Sequence, residues 1–202
     1  MNILAIECST PRASLCLGDF EAEWTAVRNH DAYLFPALRE ALAHAAVDVI
    51  LVGSGPGSYG GVRVALAAAT GISLVTQARV VALCSWESLC EGRASILSDA
   101  KRGGWTLRTP DGQIHVLDTD AVKSRLAAGQ LIWSVEPTAV LDRAGLSLPR
   151  TGLQPTARGL VSTWLSLNAE EQAARAAAPA EPIYVRPPHI TTPKHKPWEI
   201  PS

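Results

Sequence analysis

The sequence predicts a mixed α/β fold in two lobes, and three features of the chain indicate it. Near the N-terminus, three short apolar strand patterns are joined by turns built on Ser-Thr-Pro-Arg and Gly-Asp-Phe, which favour an antiparallel meander. Helical and strand patterns then alternate up to about residue 92. Beyond that point the sequence predicts further short strands, which Gly-Gly and Asp-Gly turns separate. We therefore expect mixed sheets with helices on their faces.

The first lobe is expected to span residues 1–93. Its order of elements, three antiparallel strands followed by alternating helices and strands, is the layout of an actin-like or ribonuclease-H-like half. In the first helix, Leu34, Phe35, Leu38 and Leu42 form one apolar stripe. The predicted elements are strands at 2–7, 13–17 and 21–27, a helix at 32–46, a strand at 47–52, a helix at 62–76, a strand at 79–83 and a short helix from Ser85.

A second, smaller lobe is expected at residues 94–186, followed by a Pro-rich tail at 187–202. The tail carries five prolines, so it cannot continue a helix or a central strand, and we expect it to be extended or disordered. Its Trp198 has no core of its own to enter and is a candidate for docking on a partner or on the chain's own surface. The predicted elements of the lobe are strands at 96–102, 105–109, 114–117 and 131–135 and helices at 119–128, 157–167 and 170–178.

The bulk composition excludes several classes of protein. The 202 residues carry 18 Lys plus Arg against 19 Asp plus Glu, so no global charge recruits nucleic acid or a membrane surface. The N-terminus has no basic region before its apolar residues, and the longest apolar run, 64–75, is shorter than the ~20 residues that span a bilayer. The four cysteines include no C-x-x-C pair. We expect a soluble, cytoplasmic protein without a disulfide framework.

The most informative segment is the glycine loop from Gly53 to Arg63, which lies between a predicted strand and an almost uncharged helix. By itself it reads as an anion cradle, because glycine allows close backbone approach and a helix start offers free N–H groups. The G-x-G-x-x-G spacing at Gly55, Gly57 and Gly60 matches the dinucleotide fingerprint, but no acidic residue follows at the end of the next strand. A glycine turn that merely packs against a neighbouring backbone is the structural alternative. Since the following helix is apolar on nearly all sides, something besides the sheet must cover it.

Catalytic and metal constellations are weakly supported by the sequence. The histidines lack H-x-x-x-H spacing, no cysteine pair completes a tetrahedral set, and we expect no metal and no bound cofactor. Ser58 lacks the G-x-S-x-G context of a nucleophile elbow. Glu7, at the end of the first strand, is either a functional carboxylate or only a solvated charge.

Taken together, these segments resemble the TsaB family, the scaffold subunit of the bacterial machinery that makes N6-threonylcarbamoyladenosine in tRNA. The resemblance covers nearly the whole chain in order, and its most specific part is the Gly-Pro-Gly-Ser segment followed by Arg63. The matching segments are Ile3–Thr10 with Ser14, His30–Pro36, Gly55–Arg63, Asp99–Gly103 and Pro182–Arg186. Glu7 stands where the family commonly has Asp, Gly60 where Thr is common, and Gly104-Trp105 departs from the pattern after Gly103.

The resemblance implies an actin-like fold with a reduced second lobe and a partner role without catalysis. TsaB-like proteins pair with the catalytic subunit TsaD through their first two helices, and the pair recruits the ATPase TsaE; tRNA would be met only within the complex. Carried over to this chain, the partner interface comprises Leu34, Leu38, Gly57, Ser58, Tyr59, Arg63, Ala65, Leu66, Ala68, Ala69 and Ile72. Vestigial nucleotide contacts would come from Glu7, Ser9 and Thr10.

Two other functions stay open at this point. One is a stand-alone actin-like nucleotide hydrolase that uses Glu7, Ser9 and Thr10, although the chain has no Asp-x-Gly for a second phosphate hairpin. The other is a homodimeric structural protein in which the same helices pair with a second copy when the proper partner is absent.

Overall fold

The computed structural model describes residues 1–26, 29–43, 45–89, 93–100 and 103–185. Within these ranges the strands are β1 (Ile3–Glu7), β2 (Arg12–Leu17), β3 (Phe20–Thr25), β4 (Val49–Gly53), β5 (Arg79–Leu83), β6 (Ser95–Asp99), β7 (Trp105–Arg108), β8 (Ile114–Leu117) and β9 (Ile132–Ser134). The helices are α1 (Asp31–Leu42), α2 (Tyr59–Thr76), α3 (Thr119–Ala127), α4 (Thr138–Arg143), α5 (Ala157–Ser166) and α6 (Ala169–Ala177), with a 3-10 turn at Glu87–Leu89.

The first sheet is covered by helices on both faces. Its strand order is β3-β2-β1-β4-β5, antiparallel from β3 to β1 and parallel from β1 to β5. Side chains of a strand alternate between the two faces, so Leu4 and Ile6 pack with the residues of α1 and α2, whereas Ala5 packs beside Leu160 and Trp164 of α5. The predicted antiparallel meander and the alternating region after it are therefore confirmed.

The second sheet is smaller and has the strand order β8-β7-β6-β9. Leu97 and Leu107 on one face form a core with Val122 of α3 and Leu141 of α4. Ile96 on the other face packs with Trp86, which lies in the connection from the first sheet. The mixed α/β fold with two mixed sheets agrees with the fold class predicted from the sequence.

Several elements differ from their predicted form for identifiable reasons. Helix α2 begins at Tyr59 because the Ser58 side chain accepts a hydrogen bond from the Gly61 amide and caps the helix start. Helix α1 ends at Leu42, four residues early. Helix α4 was not predicted: it is six residues long and buries only Leu141, too little for a periodic signal. The Pro-rich tail with Trp198, and residues 101–102 of the resemblance, lie outside the described residues.

The chain returns to the first sheet after completing the second. Helices α5 and α6 fall in the range 94–186 expected for the second lobe, yet they contact β1, β4 and β5. The reason is the uncovered second face of the first sheet, where Leu51 and Val81 meet Trp164. Residues 94–186 thus contain both the second sheet and one helical layer of the first.

A buried ion-pair cluster joins these parts of the chain. Glu87 lies in the connection between the sheets, and its Oε1 is 3.1 Å from a guanidinium nitrogen of Arg108 on β7 and 3.1 Å from one of Arg175 on α6. The Glu87 and Arg108 side chains are only 12% and 7% exposed. The Glu87 carboxylate therefore links β7 of the second sheet to α6, which packs on the first sheet.

Candidate partner interface and interlobe cleft

The glycine loop lies against the backbone that follows β1. A Cβ added at Gly57 would lie 2.1 Å from the carbonyl oxygen of Ser9, and one added at Gly61 would lie 2.0 Å from that of Cys8. No side chain fits at such distances, so these two positions require glycine for close approach. At Gly60, where the family commonly has threonine, an added Cβ would meet nothing within 4 Å. The departure at this position is therefore sterically neutral.

Several amides of the glycine loop already have protein acceptors. The Ser58 amide donates to the Ser9 carbonyl oxygen at 2.6 Å, and the Gly55 amide donates to Ser85 Oγ at 3.1 Å. The Gly61 amide donates to Ser58 Oγ at 3.2 Å. An anion cradle needs free donors that converge on the ligand. The loop instead matches the structural alternative, a glycine turn packed on neighbouring backbone.

Glu7 is fully buried beneath this loop and does not line the cleft between the sheets. Its Oε1 accepts a hydrogen bond from the Ser9 amide at 2.7 Å, whereas Oε2 has no hydrogen-bond partner among the described residues. Burial raises the pKa of the Glu7 carboxyl above its ordinary value, and the nearby Ser9 and Ser85 lower it more weakly. The environment thus favours a protonated, neutral Glu7.

We expect Glu7→Gln to stabilise the protein increasingly as the pH rises. Because the pKa of Glu7 is raised on folding, its carboxylate is favoured in the unfolded chain, and wild-type stability falls as the pH climbs through the interval between the unfolded and folded pKa values. A glutamine at this position does not titrate, so the variant does not lose stability in this pH interval. Urea unfolding from pH 5 to pH 8 measures the free energy of unfolding of Glu7→Gln and of wild type. The variant Glu40→Gln, at an exposed position, is the control. If the free energies of unfolding of Glu7→Gln and wild type differ by the same amount at every pH, the expectation is contradicted.

Most of the side chains predicted for the partner interface on α1 and α2 point inward. Six of them pack in the core between these helices and the first sheet: Leu34, Leu38, Ala65, Leu66, Ala68 and Ala69. Ile72 is half-buried beside them. Only Leu38, Ala68 and Ile72 of these seven also reach the groove described next. One side of α2 is therefore covered by its own sheet, and the opposite side is exposed.

An apolar groove of about 960 Å³ runs between α1 and α2 on the outer surface. Phe35 on α1 is 53% exposed, and Val75 on α2 is 84% exposed at the groove's edge, with Leu74 beside it at 75%. Its floor includes the small residues Ala67 and Gly71, and a Cβ added at Gly71 would meet nothing within 4 Å. None of the described residues that line this apolar groove carries a charge. Such a continuous exposed apolar surface is typical of a protein interaction site.

At the start of α2, the exposed residues Tyr59 and Arg63 form a cluster with the end of the described chain. Tyr59 and Tyr184 have ring centroids 5.3 Å apart, and the Arg63 guanidinium carbon lies 5.0 Å from the Tyr59 ring centroid. Arg63 also donates a hydrogen bond of 2.7 Å to the Tyr59 hydroxyl. This cluster anchors the segment before residue 186 to the helix that borders the apolar groove.

The interlobe cleft, of about 700 Å³, separates the glycine loop from the second sheet. Ser9 and Thr10 from the turn after β1 line it, and so do Gly57 and Ser58. Thr10 Oγ1 donates to Gln154 Oε1 at 3.0 Å across the cleft. Ser9 and Thr10 are therefore brought together at the cleft, and Glu7, the third residue predicted for nucleotide contacts, is not.

Comparison with known proteins agrees with this geometry. Residues 24–103, which include α1 and α2, match the model of the TsaD family, described as tRNA N6-adenosine threonylcarbamoyltransferase. A solved structure from Pseudomonas aeruginosa, of an uncharacterized protein with similarity to peptidase YeaZ, is 24% identical with a TM-score of 0.66 and covers 92% of this chain and 99% of its own. YeaZ from Pseudomonas aeruginosa is 22% identical with a TM-score of 0.64, covering 91% and 99%. No curated protein sequence matches the chain.

The two comparisons bear on different parts of the sequence-based interpretation. The solved structures share the arrangement of both sheets over nearly the whole chain, and the family model covers the helices that border the apolar groove. The chain accordingly has the actin-like α/β fold of YeaZ (TsaB), which confirms the fold class and the resemblance to TsaB-type proteins predicted from the sequence.

Proposed function

We propose that this protein is a non-catalytic scaffold for N6-threonylcarbamoyladenosine modification of the adenosine beside the anticodon in tRNA. In this proposal it acts in the cytoplasm and binds a TsaD-like catalytic subunit, and the pair then recruits a TsaE-like ATPase. The observation that carries the proposal is the exposed apolar groove between α1 and α2. The TsaD family model over residues 24–103 and the YeaZ-like fold support the choice of pathway.

The glycine loop and Glu7 support a role without catalysis. The amides of Gly55, Ser58 and Gly61 are used by protein acceptors, so they do not supply a phosphate site. Glu7 is enclosed under Gly53 and has no path to a substrate in the cleft. The net charge of −1 favours tRNA contact only within a complex, where a partner supplies the positive surface.

The scaffold is tested by Ala67→Arg, which places a charge in the apolar groove. Ala67 is exposed, so the arginine stays hydrated in the free chain and is buried unpaired only when a partner covers the groove. We expect a loss of about 3 kcal/mol of binding free energy, about 100-fold in affinity. Co-expression with the TsaD-like subunit and gel filtration of the pair measure it.

The matched control is Ala173→Arg, an exposed alanine on α6 on the opposite side of the first sheet. This variant should retain the partner, and both variants should keep the wild-type circular dichroism spectrum. Substitutions at Ala65 would not separate binding from folding, since that residue is fully buried in the core. Co-elution of Ala67→Arg with the TsaD-like subunit in wild-type yield would refute the groove as the interface.

The same groove supports a homodimer as a second state of the isolated chain. Exposed apolar residues that lack their partner pair with a second copy by the same burial of surface. In that case Ala67→Arg should also convert an isolated dimer into a monomer in sedimentation velocity. A dimer that survives Ala67→Arg must use another surface.

A further inference from the structure

A ridge of exposed residues runs diagonally across the outer face of α2. Its members follow one another at every fourth position and are Tyr59, Arg63, Ala67, Gly71 and Val75. Residues spaced by four positions are neighbours on a helix surface, so these five form one continuous ridge. The ridge is low in its middle, at Ala67 and Gly71, and higher at both ends. A helix of another protein can therefore approach α2 most closely at the middle, and it then meets Arg63 at one end.

Arg63 is the one charged residue of α2. Its side chain is exposed, and no carboxylate among the described residues lies within ion-pair distance of it. In the free chain its guanidinium is hydrated. When a partner covers the ridge, the guanidinium loses this water, and an unpaired charge would then cost binding free energy. A protein that binds there must therefore supply a carboxylate at the end of the ridge.

Aromatic residues hold the Arg63 side chain in place. Its guanidinium donates a hydrogen bond of 2.7 Å to the Tyr59 hydroxyl and lies 5.0 Å from the centroid of that ring. Tyr59 in turn packs on Tyr184, with 5.3 Å between the ring centroids. A guanidinium has five N–H donors, and Tyr59 takes one of those of Arg63. The remaining donors suit a bidentate contact with a carboxylate, and a side chain that is already ordered loses less entropy on binding.

A second copy of the chain does not supply this carboxylate when α2 packs on α2. In an antiparallel pair that crosses between Ala67 and Gly71, Arg63 would face the apolar Val75 of the second copy. In a parallel pair the two Arg63 side chains would face each other. Both arrangements cover the guanidinium without an opposite charge. A different protein with an acidic residue at this position avoids that cost.

We propose that Arg63 determines the register in which the TsaD-like subunit covers the apolar groove, by pairing with an aspartate or glutamate of that subunit. This inference rests on the proposed function, because it assigns a recognition residue to the same interface. The paired carboxylate lies one helical turn along α2 from the partner side chains that contact Ala67. A partner helix shifted by one turn would place an apolar side chain against the guanidinium, so the ion pair selects one register over its neighbours.

Affinity measurements with the TsaD-like subunit test this role of Arg63. We expect Arg63→Gln to weaken binding about 30-fold or more, because the carboxylate of the partner is left unpaired. Arg63→Lys should recover only part of the loss, since an ammonium group cannot make the bidentate contact. The control is Arg143→Gln, which removes an exposed arginine on α4 beside the second sheet and should bind as wild type does.

Zero-length carbodiimide cross-linking of the complex identifies the carboxylate. Arg63→Lys provides an amine at this position, and we expect a link from it to one Asp or Glu of the TsaD-like subunit. Arg143→Lys is the control and should form no link to that subunit. Replacing the linked carboxylate by lysine should restore binding to Arg63→Glu, and the same replacement should weaken binding to the wild-type chain.

The failure of this inference can be distinguished from the failure of the proposed function. If Ala67→Arg breaks the complex and Arg63→Gln binds as tightly as wild type, the groove remains the interface and the role of Arg63 is overturned. Links from Arg63→Lys only to carboxylates of the same chain, or of a second copy, would also overturn it. If the wild-type chain does not bind the TsaD-like subunit, or if neither substitution weakens binding, the proposed function fails and this inference fails with it.

Discussion

Gly61→Ala is expected to destabilise the protein by about 3 kcal/mol or more, although it adds a single methyl group. The added Cβ would lie 2.0 Å from the Cys8 carbonyl oxygen and 3.3 Å from the buried His30 Nε2. Both obstacles are held in place, the first by backbone at the end of β1 and the second by its burial under α2. The start of α2 must therefore move away from the sheet, and the packing of Val62 and Ala65 is lost with it.

Gly60→Ala is the matched control for this substitution. It lies one residue earlier in the same helical turn, and its Cβ would meet nothing within 4 Å. Because alanine favours the helix over glycine, this variant should gain up to about 1 kcal/mol. Urea unfolding of both variants measures the contrast, and similar midpoints for Gly61→Ala and Gly60→Ala would show that close backbone approach does not fix the loop.

Sequence pattern predicted the strands well because most of them are short, apolar and bounded by turns. The bounds of β5 and β8 were predicted correctly, and those of β1 to within one residue. Gly18, Gly103 and Gly112 lie in turns and have positive φ angles. Glycine adopts this conformation more readily than other residues, which is why it marks turns in a sequence. Local chemistry is sufficient for such elements, since each depends on a few neighbouring residues.

The exposed face of α2 could not be predicted in the same way. Periodicity identifies a buried face only when polar residues mark the opposite one, and α2 is apolar on nearly all sides. Positions 65 and 67 are both alanine, but Ala65 packs against the side chains of the first sheet and Ala67 faces the apolar groove. Only the position of the sheet distinguishes them, so the interface predicted from the sequence on these helices consists mostly of side chains that point inward.

The role of the glycine loop also depends on distant contacts. Its spacing fits an anion cradle as well as a packed turn, and the two differ in whether the Ser58 amide is free. That amide is bonded to Ser9, which is 49 positions earlier in the chain. Glu7 was likewise ambiguous, because its burial depends on Gly53 and Ser85 from two other strand ends.

Glu87→Ala is expected to destabilise the protein by about 3–5 kcal/mol. The substitution removes the carboxylate that lies 3.1 Å from the Arg108 guanidinium, which is 7% exposed, so the cost of holding this charge away from water is offset less. It also removes the bond to Arg175, so α6 loses a contact with the connection between the two sheets. Thermal and urea unfolding of the full-length variant measure the loss.

The exposed pair of Arg12 and Glu23 provides the comparison for this effect. Its N···O distance of 2.6 Å is shorter than either distance to Glu87, yet its side chains are 57% and 47% exposed. Glu23→Ala should therefore cost less than about 1 kcal/mol, because water replaces the lost partner. If Glu87→Ala cost no more than Glu23→Ala, the buried cluster could not be what joins the second sheet to the helical layer of the first. If the expected difference is found, burial and not distance determines the contribution of each pair, and the sequence neighbours of Glu87 gave no sign of its partners on β7 and α6.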